Sequence, residues 1–203
     1  MAPAAVTAMT RHDHRHTPGF TLTELLVVVA IFSIMAAVAM PQLGRAIEAY
    51  RLGIAVREME RELQVARIKA VTANRPVRVL FNCPAAGQFR RVEILGEPGL
   101  PDARDNTVAR CNPAAFPYPP ADDDPLTRPN HDGPLHFLPE GVTMAGVGGI
   151  EFLPNGTTRS DDVGGTLTWT DVPVAGVSAT VTKGALSRAV IINGMGRVFI
   201  TGR

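Results

Sequence analysis

Residues 18–41 read Pro-Gly-Phe-Thr-Leu-Thr-Glu-Leu-Leu-Val-Val-Val-Ala-Ile-Phe-Ser-Ile-Met-Ala-Ala-Val-Ala-Met-Pro, and this stretch decides the fold. Between Leu25 and Met40 no residue is charged, and Ser33 alone is polar. Counted from Phe20, the run is long enough to cross a bilayer as one helix, since about 20 residues rising about 1.5 Å each span about 30 Å of hydrocarbon. The sequence therefore predicts a membrane-spanning helix near the start of the chain.

Glu24 is the one acidic residue in this stretch. A carboxylate inside lipid costs at least about 2.5–3.5 kcal/mol, so an acid in a membrane span indicates a function and requires a partner. The nearest downstream basic residue, Arg45, lies beyond the far end of the span. A cut between Gly19 and Phe20 would create a partner, because the new amino group of Phe20 is positive and stands four residues before Glu24.

The sequence Gly19-Phe20-Thr21-Leu22-Thr23-Glu24, followed by the apolar run, resembles the class III signal of type IV pilins and type II secretion pseudopilins. In that family a prepilin peptidase cuts after the glycine and methylates the new N-terminal phenylalanine, and the glutamate guides assembly. The resemblance implies these roles for Gly19, Phe20 and Glu24, with neighbouring pilins or pseudopilins as partners. Pro41 matches a proline frequent in the family, whereas Thr23 stands where an apolar residue is usual.

The leader, residues 1–19, lacks an apolar core, so it is not a secretory peptide of the usual plan. Basic residues precede the span and no comparable cluster directly follows it, so the positive-inside rule keeps the leader in the cytoplasm. With the resemblance, this predicts a single-pass protein of the cell inner membrane whose C-terminal domain is periplasmic. The histidine-rich segment 12–16 is open to two interpretations, a metal site or, as we favour, a basic flank that cleavage removes.

The formal net charge of the chain is +1. The leader accounts for it with Arg11, Arg15 and Asp13, so residues 20–203 balance to zero. The total charge therefore does not favour nucleic acid as the main partner. The 19 glycines and 17 prolines are typical of a β domain rich in turns.

The chain contains two cysteines, Cys83 and Cys111. In a domain outside the cytoplasm they are candidates for a disulfide, because that compartment is oxidising. The bridge would close a loop of about 28 residues and stabilise the fold by about 3 kcal/mol in the chain-entropy model. The alternative is two buried thiols, but we favour the disulfide because the neighbours of both cysteines are typical of loop edges.

The helix is expected to continue past Pro41 to about Ala73, although Pro41 should kink or weaken it. Asn74 and Pro76 are expected to end it. Apolar residues recur at helical spacing along one face, which predicts the seam where this amphipathic part packs on a sheet. The residues of this seam are Leu52, Val56, Met59, Leu63, Ala66 and Ala70.

Short apolar segments separated by turns predict strands over the rest of the chain. Val77–Phe81 and Arg90–Leu95 are expected to form a hairpin across the turn at 84–87. Asn155-Gly156 and Asn193-Gly194 are typical of hairpin turns. The further strands are expected at Leu135–Leu138, Val142–Ala145, Gly149–Leu153, Gly165–Thr170, Ser178–Thr182, Arg188–Asn193 and Arg197–Thr201.

Residues 96–134 contain nine prolines and the acidic run Asp122-Asp123-Asp124. This composition predicts a long solvated loop rather than a packed element. Some pilin relatives bind calcium through an acidic loop, which is the second interpretation of this run. The spacing matches no EF-hand, and Pro125 follows directly, so we expect no metal site.

Three C-terminal segments resemble the signature of the GspH/FimT group of minor pilins. They are Ile-Glu-Phe-Leu-Pro-Asn-Gly at 150–156, Arg-Ala-Val-Ile-Ile at 188–192 and Gly-Arg-Val at 196–198. The resemblance implies an α+β, pilin-like fold in which a long N-terminal helix packs on antiparallel β-sheets. The expected segments are a leader at 1–19, a transmembrane helix at 20–41, an amphipathic helix at 42–74 and a periplasmic β domain at 75–203.

No phosphate-binding loop, zinc-ligand spacing or nucleophile elbow occurs in the sequence. His131 and His136 are the histidines beyond the leader. A catalytic pairing of a histidine with Ser160 or Asp161 can be drawn, but no spacing supports it. We therefore expect no enzyme and no cofactor.

Two functions remain after these exclusions. The first is a minor pseudopilin of a type II secretion system, processed by prepilin peptidase and assembled into a periplasmic pseudopilus. The alternative is a FimT-like minor type IV pilin that acts in pilus assembly or DNA uptake. DNA contact would need clustered cations. The DNA-binding members resemble one another in a Gly-Arg-x-Arg element, in which this chain keeps the first arginine as Arg197 and has Phe199 in place of the second. The candidates are Lys183, Arg188, Arg197 and Arg203.

Overall fold

The computed structural model describes residues 19–97, 105, 108–118, 132–161 and 168–202. Within them lie helix α1, ten strands and a short 3₁₀ turn at Val108–Cys111. The chain divides into two compact units, Met1–Leu43 and Gly44–Arg203. The elements are α1 Leu22–Ala73, β1 Val77–Phe81, β2 Gln88–Glu93, β3 Leu135–Phe137, β4 Val142–Gly146, β5 Gly149–Phe152, β6 Thr158–Asp161, β7 Trp169–Asp171, β8 Val177–Lys183, β9 Leu186–Ile192 and β10 Val198–Thr201.

Helix α1 ends where the sequence predicts. Asn74 adopts a left-handed conformation with φ of 52°, which Asn tolerates better than most residues. The backbone N–H of Arg75 bonds the carbonyl of Ala70 at 3.2 Å, so one of the last helical carbonyls keeps a partner. Pro76 follows and cannot continue the helix. Helix α1 continues through Pro41.

The strands form two antiparallel sheets, both in the second unit. The six-stranded sheet has the order β3-β2-β1-β5-β6-β7, and the four-stranded sheet has the order β10-β9-β8-β4. In the larger sheet β1 is central, with Val79 opposite Arg91 on one side and Ile150 on the other. The smaller sheet contains the β9–β10 hairpin, in which Val198 pairs with Ile192.

The amphipathic part of α1 packs on both sheets, as the seam predicts. All six residues of the seam are buried, and Met59 and Leu63 are fully enclosed. They share one core with strand residues such as Phe152 and Val190. Each fully buried large side chain contributes about 1.5–3 kcal/mol relative to its exposed state. The α+β fold with a long N-terminal helix on antiparallel sheets is thus confirmed.

The strand predictions differ from the structure most clearly at β6 and β7, and β2 lies two residues before the range 90–95 expected for it. Strand β6, Thr158–Asp161, was not expected, because its residues are polar and show no apolar alternation. It forms because its backbone pairs with β5 on one side and β7 on the other. The strand expected at 165–170 appears as β7, Trp169–Asp171, and residues 162–167 lie outside the described part.

The prediction of a solvated loop at 96–134 holds for some of the residues described there, such as the exposed residues 112–115, and is wrong for others. Asp105, Arg110, Cys111 and Asp132 are all buried against the six-stranded sheet. Sequence composition could not reveal this burial, because a charged side chain is buried only where the fold places an ion-pair or hydrogen-bond partner beside it. The acidic run at 122–124 lies outside the described residues.

Candidate functional site

The N-terminal end of α1 carries the proposed processing and assembly residues. Gly19 and Phe20 precede the helix outside any helix or strand, and the ring of Phe20 is exposed. Thr21 caps the helix, because its hydroxyl oxygen accepts the backbone N–H of Glu24 at 3.2 Å. Glu24 lies in the first turn, where the helix dipole favours a negative charge.

The carboxylate of Glu24 is exposed and forms no ion pair within the described residues. The apolar side chains that follow it are exposed too, over a helical stretch whose length and composition suit a membrane span. Ser33, the polar residue within that stretch, donates its hydroxyl to the carbonyl of Val29 at 2.8 Å. This helical stretch therefore has apolar side chains on all sides and one carboxylate, that of Glu24, in its first turn.

Sequence reasoning missed the cap at Thr21. The signal was present, because Thr21-Leu22-Thr23-Glu24 follows the Thr-x-x-Glu pattern of a capping box. The structure forms the half in which the threonine accepts the glutamate N–H. Glu24 thus stands at a helix start as well as at the assembly position that the resemblance implies.

A layer of buried charges covers the side of the six-stranded sheet away from α1. Arg78 of β1 donates to Glu151 of β5 at 2.9 Å, and its guanidinium lies 4.3 Å from the ring centroid of Trp169. Arg159 continues the row towards Asp171 at 3.1 Å. Arg78 and Glu151 are thereby paired across neighbouring strands, as buried charges require, whereas Asp171 at the end of the row is exposed.

Arg110 fastens the chain segment after β2 to this layer. Its guanidinium donates to Asp105 at 3.1 Å, to Asp132 at 2.8 Å and to the backbone carbonyl of Glu93 at 3.0 Å. Arg90 adds bonds to the carbonyls of Gly133, Arg110 and Phe116. Two arginines therefore hold the segment after β2 on this side of the sheet through hydrogen bonds and ion pairs.

The structure joins Cys83 and Cys111 in a disulfide, with a Cα–Cα distance of 5.4 Å. That distance lies in the usual range for such a bridge. The bridge packs with Leu80 and Val92 in a small cluster that Trp169 covers. The bridge links the 3₁₀ turn, which ends at Cys111, to the chain just after β1, where Cys83 lies.

His136 on β3 bridges to α1. Its Nδ1 lies 2.8 Å from Glu58 Oε1, and its Nε2 lies 3.5 Å from Glu62 Oε2. The contact with Glu62 is the largest influence raising the pKa of His136, with Glu58 adding to it, and together they outweigh the burial that acts to lower it. Burial acts to raise the pKa of Glu62, but His136 and the paired Arg91 together lower it.

The candidate catalytic residues do not come together. His136 lies on an edge strand, whereas Ser160 and Asp161 lie on β6, four strands away in the sheet order. Four spacings of about 4.8 Å separate the two strands by about 19 Å. His131 lies outside the described residues, and the described part of the chain holds no group of three metal-ligating side chains.

The candidate DNA contacts are spread over the smaller sheet. Lys183 and Arg188 lie near the β8–β9 turn, and the ammonium of Lys183 bonds the carbonyl of Glu140 at 2.6 Å. Arg197 lies at the opposite end of the β9–β10 hairpin, about five residues or about 17 Å along the strand from Arg188. Arg203 lies outside the described residues.

Comparisons with known proteins address both ends of the chain. Residues 15–40 match the prokaryotic N-terminal methylation motif, and residues 55–196 match the family described as type II transport protein GspH. No curated protein matches the sequence.

Two crystal structures of the type IV minor pilin FimU from Pseudomonas aeruginosa (strain PAO1) resemble the fold. One is 17% identical, covers 76% of this chain and 91% of the FimU chain, and gives a TM-score of 0.46. The other is 16% identical, covers 74% and 92%, and gives a TM-score of 0.42.

Proposed function

The chain belongs to the GspH family, and from this premise we propose that it is a minor pseudopilin of a type II protein secretion system. Prepilin peptidase cuts after Gly19 and methylates the amino group of Phe20. The mature chain is then drawn from the inner membrane into a periplasmic pseudopilus with other pseudopilins. Its β domain, about 75–203, is periplasmic.

The observation that carries this proposal is the arrangement of both signals in one chain. A methylation motif at 15–40 precedes a GspH domain at 55–196, and the exposed apolar part of α1 begins within the motif at Leu22. A plain membrane anchor requires neither the glycine before Phe20 nor an acid in its first turn. Both are explained by cleavage and assembly.

The geometry at the helix start supports a role for Glu24 in assembly. After cleavage, the amino group of Phe20 stands one residue before the cap Thr21, at the positive end of the helix dipole. The positive amine and the positive end of the dipole then lie together in a medium of low dielectric constant, which is unfavourable. The carboxylate of Glu24 opposes both, and a neighbouring subunit with its own N-terminal amine offers it a partner.

The test is Glu24→Ala in the native cell. We expect the leader to be removed, because the peptidase acts at Gly19, but incorporation into the filament to be lost. Cleavage is read from the mass of the mature chain and assembly from its recovery in sheared filaments. Glu48→Ala, which removes a carboxylate of α1 outside the apolar stretch, is the control, and normal assembly of the Glu24 variant would overturn the pairing.

The competing function is a FimT-like minor type IV pilin that contributes to pilus assembly or DNA uptake. Deleting the gene separates the two, because a pseudopilin is required for secretion of exoproteins and a pilin for pili or transformation. DNA contact predicts that the full chain in detergent micelles retards duplex DNA, with an affinity that falls steeply as salt rises. The spread of Lys183, Arg188 and Arg197 favours the secretion role.

A further inference from the structure

A groove runs between helix α1 and the start of β10. Gln64, Arg67 and Ile68 line it from the helix, and the segment 196–198 lines it from the hairpin. Its volume is about 310 Å³. Ile68 is exposed and Val198 half-buried, so the groove combines apolar walls with charged rims.

Two arginines on the rim of the groove have no partner among the described residues. Neither the guanidinium of Arg67 nor that of Arg197 forms a hydrogen bond or an ion pair there, and Arg197 is exposed. Gly196 allows this arrangement, because a Cβ at that position would lie 3.0 Å from Nε of Arg67. Unpaired guanidinium groups on both walls favour a ligand that carries a carboxylate or another anion.

The wall formed by β10 is a free sheet edge. Within the described residues β10 is the last strand of its sheet, paired with β9 on one side only. The N–H of Asn193 bonds the carbonyl of Arg197, and bonded pairs alternate along an antiparallel ladder. The backbone groups of Val198 and Ile200 therefore point away from β9, towards the open side.

We propose that this groove binds an extended, acidic segment of a partner protein, which adds as a strand to the edge of β10. The backbone groups of Val198 and Ile200 would bond the backbone of the segment, and alternate side chains would enter the groove. An Asp or Glu of the segment would lie between Arg67 and Arg197. An apolar residue would pack on Ile68.

Charge and shape favour a peptide over nucleic acid at this site. Glu60 lies beside the groove, where its carboxylate accepts a bond from the amide of Gln64 at 3.3 Å. It would repel a continuous row of phosphates, while one carboxylate placed between the two arginines is attracted. A free strand edge also offers hydrogen bonds in the spacing of a peptide backbone.

The probe is a fluorescent heptapeptide, Thr-Val-Thr-Asp-Thr-Val-Thr, in which one acid and its two apolar neighbours share a face of the strand. It is titrated against the full chain in detergent micelles. Fluorescence anisotropy measures binding. We expect a matched peptide carrying Asn instead of the Asp to bind at least tenfold more weakly, a factor equivalent to about 1.4 kcal/mol. An acidic peptide with alternate N-methylated amides should lose binding, because it cannot pair with β10.

Variants locate the site. Arg67→Gln and Arg197→Gln should each weaken the acidic peptide by about fivefold or more, in the range of one charged contact. Arg51→Gln, at an exposed arginine elsewhere on α1, should leave it unchanged. Glu24→Ala should also bind normally, since peptide binding requires neither cleavage nor assembly, so a failure here is distinct from a failure of the proposed function.

Each contrary outcome overturns a stated part of the proposal. Equal binding of the neutral peptide removes the role of charge, and equal binding of the N-methylated peptide removes strand addition. Absence of binding by the acidic peptide overturns the docking surface. If duplex DNA displaces the peptide and loses affinity in both arginine variants, the groove is a nucleic-acid site instead.

Discussion

The two faces of the six-stranded sheet are stabilised by different physics. The face towards α1 is lined by apolar residues such as Val79 and Phe152, which pack with the helix seam in one core. The opposite face carries Arg78, Arg90 and Glu151, buried beneath the segment after β2. Burial of apolar area is tolerant of detail, whereas each buried charge depends on a particular partner.

This difference shows how a proline-rich, polar segment can be part of a folded layer. Arg110 and the disulfide supply the cohesion that apolar residues supply on the other side. Trp169, the one tryptophan of the chain, lies on the charged face and reports on it by fluorescence. The following substitutions compare the two faces in the full chain in detergent micelles.

Arg110→Met should have the largest effect. It leaves Asp105 and Asp132 buried without their main cation, and breaking a buried pair costs about 3–5 kcal/mol. Urea unfolding followed by Trp169 fluorescence measures the free energy of unfolding. Arg75→Met, at a half-exposed pair with Glu93, should cost below about 1 kcal/mol. Equal losses for the two variants would show that the charged face is not held by Arg110.

Leu63→Ala tests the apolar face. The side chain is fully buried between the helix and the sheets, so truncation removes apolar burial and leaves a cavity, at a cost of about 2–5 kcal/mol. Ile68→Ala, on the exposed side of the same helix, is the matched control and should change stability little. Far-UV circular dichroism during urea unfolding measures the loss, and a loss no larger than that of the control would contradict the assignment of the core.

Replacing both Cys83 and Cys111 by serine should cost about 2–4 kcal/mol, because the bridge restricts the unfolded chain. The expected change is a lower urea concentration at the unfolding midpoint, measured by the fluorescence of Trp169, which packs against the disulfide cluster. Treating the unaltered chain with a reductant should move the midpoint by the same amount. A midpoint that ignores the reductant would mean that the two thiols are not bridged.

His136 gives the smallest expected effect and a pH dependence. Its pKa is raised in the fold, so its contribution is present below the usual histidine pKa of about 6.5 and is lost as pH rises through the raised value. The carboxylates facing it are Glu58 and Glu62 of α1, and Arg91 of β2 faces Glu62. Because Glu62 has a lowered pKa, its own contribution is lost only in the acid range.

His136→Gln should therefore remove the decline in stability that occurs as pH rises from about 6.5 through the raised pKa of His136. The free energy involved is below about 1 kcal/mol, because the pair is partly exposed. Unfolding midpoints measured from mildly acidic to mildly alkaline pH provide the test. The unfolding midpoint of the variant should change less with pH across this range than that of the unaltered chain. An unchanged slope would place the titration elsewhere.

Much of this protein could be predicted from local patterns. The apolar run after Glu24 and the seam from Leu52 to Ala70 predict the helix and its buried face, because both depend on periodicity along the chain. Asn74 and Pro76 predict its end through their own backbone preferences. Most strands followed from the turns between them, and the GspH resemblance followed from short segments near the C-terminus.

By itself the sequence determined the long helix, its apolar first part and the antiparallel class of the β domain, since these features follow from neighbouring residues. The tertiary structure alone decided that Arg110 and its partners Asp105 and Asp132 are buried, that polar β6 is a strand, and that Arg67 and Arg197 line one groove. Each of these depends on partners distant in sequence. A charge is solvated or buried according to what the fold places opposite it, and no local pattern contains that information.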